Sequence, residues 1–180
     1  MCSQVNPRPP WIWIDRSQAA TAASAQCAFA AAAASGARSL AALALEACGV
    51  GSRALELAVD YVNERHQFGK PIGTYQAVSH PLATTLVELE LGRSLALFAA
   101  WCVAEGDERA PMAAAAAKAQ CADAAVAACE RSIQIHGGIG FTWEHPLHRL
   151  YKRALGIQAW ETSGERLRAE IADRLLGGGP

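Results

Sequence analysis

The sequence predicts an all-α fold, an antiparallel bundle of about five or six helices. Three observations predict it: apolar residues that step by three and four over long stretches, no sustained two-residue alternation bounded by turns, and Gly/Pro punctuation spaced as long helices require. Nothing repeats at a fixed period. With 180 residues, 52% of them apolar, the chain can bury one substantial core, and one compact unit is expected.

Residues 1–36 divide into an arm and an alanine-rich helix. Pro7, Pro9, Pro10, Trp11 and Trp13 give neither helical nor strand periodicity, so an extended arm is expected over residues 1–14. Asp15 with Gln18 forms a capping-box pattern ahead of an alanine run of high helix propensity. The bundle itself is expected over residues 37–176. From Ala37 to Gln67 the positions Leu40, Leu43, Ala47, Val50, Ala54, Leu57, Ala58 and Tyr61 make one amphipathic helix, which Phe68-Gly69-Lys70-Pro71 should end through a glycine C-cap. A second helix starts near Thr74. Its stripe Tyr75, Val78, Leu82, Leu86 and Leu89 passes into the small residues Gly92, Ala96 and Ala99, fit for a tight crossing, before Gly106-Asp107 stops it. The third helix, Pro111 to Ile135, is rich in alanine and suits close packing; a glycine-rich turn, His136 to Gly140, follows. Pro146 opens a short helix to about Gly156, and Thr162-Ser163-Gly164-Glu165 starts the last one, with Thr162 as the expected cap.

A formal charge of -1 provides no broad field for phosphates or anionic lipid, so neither nucleic acid nor membrane is an expected partner. Cys2, Cys27, Cys48, Cys102, Cys121 and Cys129 are scattered among alanines without CxxC pairing, and read as small buried thiols of a cytoplasmic protein. No basic-then-apolar leader stands at the N-terminus, and alanine has too little transfer energy to make the run after Asp15 a membrane span.

Two blocks carry chemistry. Arg65-His66-Gln67-Phe68-Gly69-Lys70-Pro71-Ile72, followed by Gln76, is a polar corner that reads either as a plain turn or as a place where Arg65, at a helix C-terminus, forks onto a phosphate. The block from Gln134 to Phe141 follows a helix and lacks the third glycine of a dinucleotide fingerprint, so it is a tight interhelical turn and no Rossmann site. His136, His145 and His148 with Glu144 lack metal-ligand spacing, because Pro146 interrupts it, and no metal is expected.

In this order and at this distance, AVDYVNERHQFGKPIGTYQAVSHPLA and AKAQCADAAVAACERSIQIHGGIGFTWEHPLHRLYKRA resemble the C-terminal helical domain of acyl-CoA dehydrogenases over roughly residues 38–176. Each motif alone is weak; the ordered pair is specific. The resemblance implies FAD as cofactor. It puts Arg65, Gln67 and Phe68 on the flavin dinucleotide across a subunit interface, Gln76 near its adenine end, and Gln134 and Gly138 on the same cofactor from the partner subunit.

It further implies a catalytic base at Glu161, in Trp160-Glu161-Thr162, where the family often has Tyr-Glu-Gly. A carboxylate there would remove the α-proton of an acyl-CoA thioester; equally, it could only complement the dipole of the helix that follows. The glycine after the base is replaced by Thr162, which narrows the room beside it. Another branch of the family carries its base at the position of Ser39, and serine cannot do that work; Glu46 reads as an ordinary helix-face residue.

The family's N-terminal helical and middle β domains do not fit in residues 1–37. Three expectations follow: a subunit, at least dimeric or heteromeric with a longer dehydrogenase-like chain, that acts on acyl-CoA and passes electrons to an electron-transfer flavoprotein; a non-catalytic helical module that binds a flavin or nucleotide; or a fragment of a full-length dehydrogenase.

Overall fold

A computed structural model describes residues 36–177. The expected arm, the alanine-rich helix, Cys2, Cys27 and the last three residues lie outside the described residues. Five α-helices are present among those described: α1 Gly36–Glu64, α2 Gln76–Glu105, α3 Ala110–His136, α4 Leu147–Ala159 and α5 Gly164–Leu175. The expected all-α bundle is found.

Neighbouring residues fix the helix directions. On α1 and α3, Gly51 meets Ala125 and the Ala54 carbonyl accepts from Ser132 Oγ at 2.9 Å, so these two helices run parallel. Between α2 and α3, Gly92 meets Cys121 while Glu88 pairs with Arg131 at 2.6 Å, so α2 runs against both. Helices α4 and α5 in turn run against α3, as Lys118–Gln158 and Glu130–Tyr151, then Asp123–Gly164 and Ala119–Arg168, require.

Helix α3 is the axis of the molecule. Its buried residues occupy nearly every turn, and most are alanine, whose small side chain lets α1, α2, α4 and α5 all approach it. The small patch on α2 does what the sequence suggested: Gly92, Ala96 and Ala99 are buried, and a Cβ added at Gly92 would lie 3.1 Å from Cys121 Sγ. Cys48, Cys102, Cys121 and Cys129 are buried free thiols; burial pushes the Cys129 thiol up to about 12.

Three boundaries differ from expectation. Helix α1 stops at Glu64, and the next residues form a minimal antiparallel hairpin, β1 (His66–Gln67) with β2 (Lys70–Pro71), in register His66 with Pro71 and Gln67 with Lys70. Gly69 therefore serves a two-residue turn and does not cap the helix: Phe68 and Gly69 both take positive φ, 53° and 79°, the combination that matches the twist of tight hairpins. A 3-10 turn, Ile72–Thr74, then leads to α2. Ser163, not Thr162, caps α5 by accepting the Arg166 amide, because Thr162 belongs to the preceding turn. Helix α4 also runs to Ala159, past Gly156.

Candidate functional site

One end of the bundle gathers both predicted motif blocks. Tyr61, in the last turn of α1, stacks on His136, the last residue of α3, with ring centroids 4.4 Å apart, and Ile72 and Ile135 share an apolar cluster. The hairpin and the 3-10 turn Gly137–Phe141 are thereby held at the same end. His136 is buried, stacked against Tyr61 and 4.4 Å from the His145 ring, with Nδ1 2.7 Å from the Ser132 carbonyl. That makes it a packed core histidine.

The predicted cofactor residues at this end face outward. Arg65, Gln67, Phe68, Gln76, Gln134 and Gly138 are all exposed, and Phe68 is 93% exposed. Among the described residues Arg65 pairs with no carboxylate. Its backbone is fixed nonetheless, since the Arg65 amide donates to Tyr61 and its carbonyl accepts from Ile72, each at 2.8 Å. An aromatic at positive φ is strained, and strain of this kind persists only where the surroundings over-determine it. The result is a fixed hairpin with a free guanidinium at its base, the Gln67 amide and a protruding aromatic ring, flanked by Gln76 on α2 and Gln134 on α3.

Glu161 stands at the opposite end. Its carboxylate accepts from Ser39 Oγ, 2.6 Å from Oε1 and 2.7 Å from Oε2, so one hydroxyl proton is shared by both oxygens. Ser39 is in the first turn of α1, and by helical rise that is roughly 38 Å from the hairpin end. One chain therefore does not bring Glu161 and the hairpin to a common ligand. Glu161 is exposed, with φ at 61°. The Thr162 amide donates to the Trp160 carbonyl at 2.8 Å, which makes Glu161 the centre of a γ-turn of the rarer, strained sign.

Among the described residues, Phe68 and Glu161 are the two non-glycine residues with positive φ. Both were singled out from sequence. Glu46, read as an ordinary helix-face residue, is committed to Arg153 at 2.6 Å.

Two features of the Glu161 end were missed. The first is its contact with Ser39, although two alternative base positions in one family already suggested that both face the same point. The second is Lys118, on α3, which no sequence motif singled out. It is fully buried, and its ammonium donates to the Gln158 carbonyl at 2.9 Å and to the Thr162 carbonyl. Burial pushes its pKa down, opposed by Asp123 and Glu161. A lone lysine inside an alanine run on the most buried helix was the available signal.

The family description "Acyl-CoA dehydrogenase, C-terminal domain" matches residues 37–176. The chain belongs to the acyl-CoA dehydrogenase family. Acyl-CoA dehydrogenase IpdE2 of Mycobacterium tuberculosis is 41% identical over 127 residues, which are 70% of this chain and 38% of that protein. Butyryl-CoA dehydrogenase of Megasphaera elsdenii superposes with a TM-score of 0.74 at 32% identity, over 78% of this chain and 36% of its own. PigA, solved with FAD and proline, superposes with a TM-score of 0.75 at 26% identity, over 79% and 37%. The chain thus spans little more than a third of the length of each of these proteins, and what it matches in the family is the C-terminal domain. Among the described residues, no helix is long and apolar enough to cross a membrane.

Proposed function

We propose that this chain supplies the helical C-terminal part of an FAD-dependent acyl-CoA dehydrogenase, in which the remaining domains come from additional polypeptide, most simply a longer dehydrogenase-like partner chain. The observation that carries the reading is the coincidence of strain and motif: the two non-glycine positive-φ residues, Phe68 and Glu161, are the predicted flavin contact and the predicted base. A carboxylate that only complemented a helix dipole would not need a γ-turn. The donor set at the hairpin fits a dinucleotide, since an unpaired arginine and exposed glutamines suit a pyrophosphate and an adenine edge, and Phe68 offers a ring to stack.

In this reading Arg65, Gln67, Phe68 and Gln76 hold the cofactor from one copy, and Gln134 and Gly138 hold it from a partner. Gly138 has open space where a Cβ would stand, so its backbone is approachable. Glu161 takes the α-proton of the acyl thioester on its carboxylate. Bound FAD supplies the acceptor for the β-hydrogen. The roughly 38 Å between Ser39 and the hairpin means that the two ends serve different flavins unless a second subunit contributes one of them. An exposed apolar stripe on α2, Val87, Leu91, Phe98 and Trp101, supports at least a dimer. An electron-transfer flavoprotein is the proposed electron acceptor, and the cytoplasm the proposed compartment.

The test is the absorption spectrum and solution mass of the purified protein, with and without added FAD and a co-expressed longer chain. A flavin band together with a mass above that of one chain supports the reading; a colourless protein that ignores both overturns it. In the flavin-loaded assembly, Glu161→Gln should lower dehydrogenation about 10²–10⁴-fold. An unchanged rate would remove Glu161 from the role of base.

A further inference from the structure

Lys118 sits where a lysine costs stability. It lies between Ala117 and Ala119 on the axial helix, fully buried, and the groups that receive its ammonium are two backbone carbonyls and no carboxylate. Burying a cation without a carboxylate in direct contact is expensive even with Asp123 and Glu161 nearby, and an apolar side chain of similar length would fill the same space. Packing does not explain the residue, so its explanation lies in what the ammonium holds.

It holds a turn by both ends. Gln158 is in the last turn of α4, and Thr162 directly precedes Ser163, the cap of α5. Between them lie Ala159, Trp160 and Glu161, so the two carbonyls that Lys118 joins bracket Glu161. Gln158 is fixed a second time, because its side chain donates to Asp123 at 2.8 Å, and Asp123 also pairs with Arg168 of α5. Within this frame Glu161 adopts its strained γ-turn, and its carboxylate lands on Ser39 Oγ. Removal of the ammonium would leave two partly buried carbonyls without this donor and let Glu161 relax to a negative φ, which carries the carboxylate away from Ser39.

We infer that Lys118 and Ser39 are positioning residues for Glu161: the lysine locks the backbone of the turn, and the serine hydroxyl fixes the direction of the carboxylate that the turn presents. The consequence for turnover rests on the reading of Glu161 as the base; the geometry does not.

The experiment compares wild type, Lys118→Met, Ser39→Ala and Ser39→Thr. In the full 180-residue chain, NMR follows the exchange rate of the Thr162 amide and the carboxyl carbon resonance of Glu161. In the flavin-loaded assembly, kcat and KM are measured for an acyl-CoA thioester. Lys118→Met should retain the helical content, speed Thr162 amide exchange and move the Glu161 resonance to its Ser39→Ala position. It should lower kcat on the order of tenfold to a hundredfold with KM little changed. Ser39→Thr, which keeps the hydroxyl, should restore the wild-type resonance and rate. An unmoved Glu161 resonance and unchanged Thr162 exchange in a folded Lys118→Met protein would overturn the inference, as would a Ser39→Ala protein indistinguishable from wild type. Should Lys118→Met not fold, wild type decides: hydrogen-bond couplings from the Lys118 ammonium to the Gln158 and Thr162 carbonyl carbons support the inference, and their absence overturns it. Full turnover in Glu161→Gln, with the NMR changes present, would refute the base and leave the positioning intact.

Discussion

The two ends of the bundle solve opposite problems. At the hairpin end, the backbone is fixed and the side chains are left free: Arg65 has no carboxylate partner among the described residues, and Phe68 projects almost fully into solvent. At the Glu161 end, the side chains themselves are committed, Ser39 to the carboxylate, Lys118 to two carbonyls, Asp123 to Gln158 and Arg168. In the proposed reading, the difference is that between a surface that waits for a ligand and a group aimed in advance. A binding surface gains from unsatisfied donors, which a ligand then satisfies; a proton acceptor gains from a fixed direction.

The largest effect that would sharpen this contrast is at Arg65. In the proposed reading Arg65→Ala removes a charge-assisted contact to a pyrophosphate, and it breaks no side-chain ion pair among the described residues. FAD affinity should fall by about 1.5–3 kcal/mol, roughly ten- to a hundredfold or more, with the melting temperature of the flavin-free protein unchanged. Titration of flavin fluorescence and a thermal melt decide it. A melting temperature that drops without loss of affinity would make the hairpin arginine structural and erase the contrast.

How the sequence announced these ends follows from the range of the forces involved. Helix α1 was legible because Leu40 to Tyr61 repeat the helical period over many turns, and the stop of α2 because Gly106 takes the left-handed cap that its position demanded. The hairpin was not legible: two residues per strand are too few to alternate, and Phe68-Gly69 is not one of the pairs that ordinarily mark such a turn. Ser39 and Glu161 are 122 residues apart in sequence, and no local pattern encodes a contact of that span. Lys118 was hidden for another reason. Its helical position predicts burial, its chemistry predicts exposure, and the conflict is settled only by carbonyls that α4 and the following turn bring in.

Within the hairpin end, two glycines of the turn after α3, separated by Ile139, also differ. Gly138 has nothing within 4 Å of an added Cβ, whereas a Cβ at Gly140 would lie 2.7 Å from the Ile133 carbonyl oxygen and 3.1 Å from His136 Cβ. Gly140→Ala should therefore cost about 1–3 kcal/mol of stability, because backbone must shift. Gly138→Ala should leave stability unaltered and, if the proposed cofactor lies over this turn, weaken FAD binding, since the added methyl would face it. Thermal melts paired with flavin titrations would reverse this assignment if Gly138→Ala proved the destabilising one.

The smallest effect lies at the other end, in the link between α2 and α3. Asp107 Oδ1 accepts the Arg109 amide at 2.8 Å, and its carboxylate also receives the Arg109 side chain, at 2.9 and 2.7 Å. The Arg109 hydrogen bonds hold the Asp107 carboxyl well below the usual range, at about 2. Because the folded value is depressed, the stabilisation is fully present above the ordinary value of 3.8 and is lost as pH falls through about 2. Asp107→Asn should lower the melting temperature at pH 7 by no more than about 2 °C, as expected of an exposed pair, and the gap from wild type should close as the pH drops from 4 toward 2. A gap that widened on acidification would mean that Asp107 is held protonated in the folded chain. The close wiring of this end would then owe nothing to Arg109.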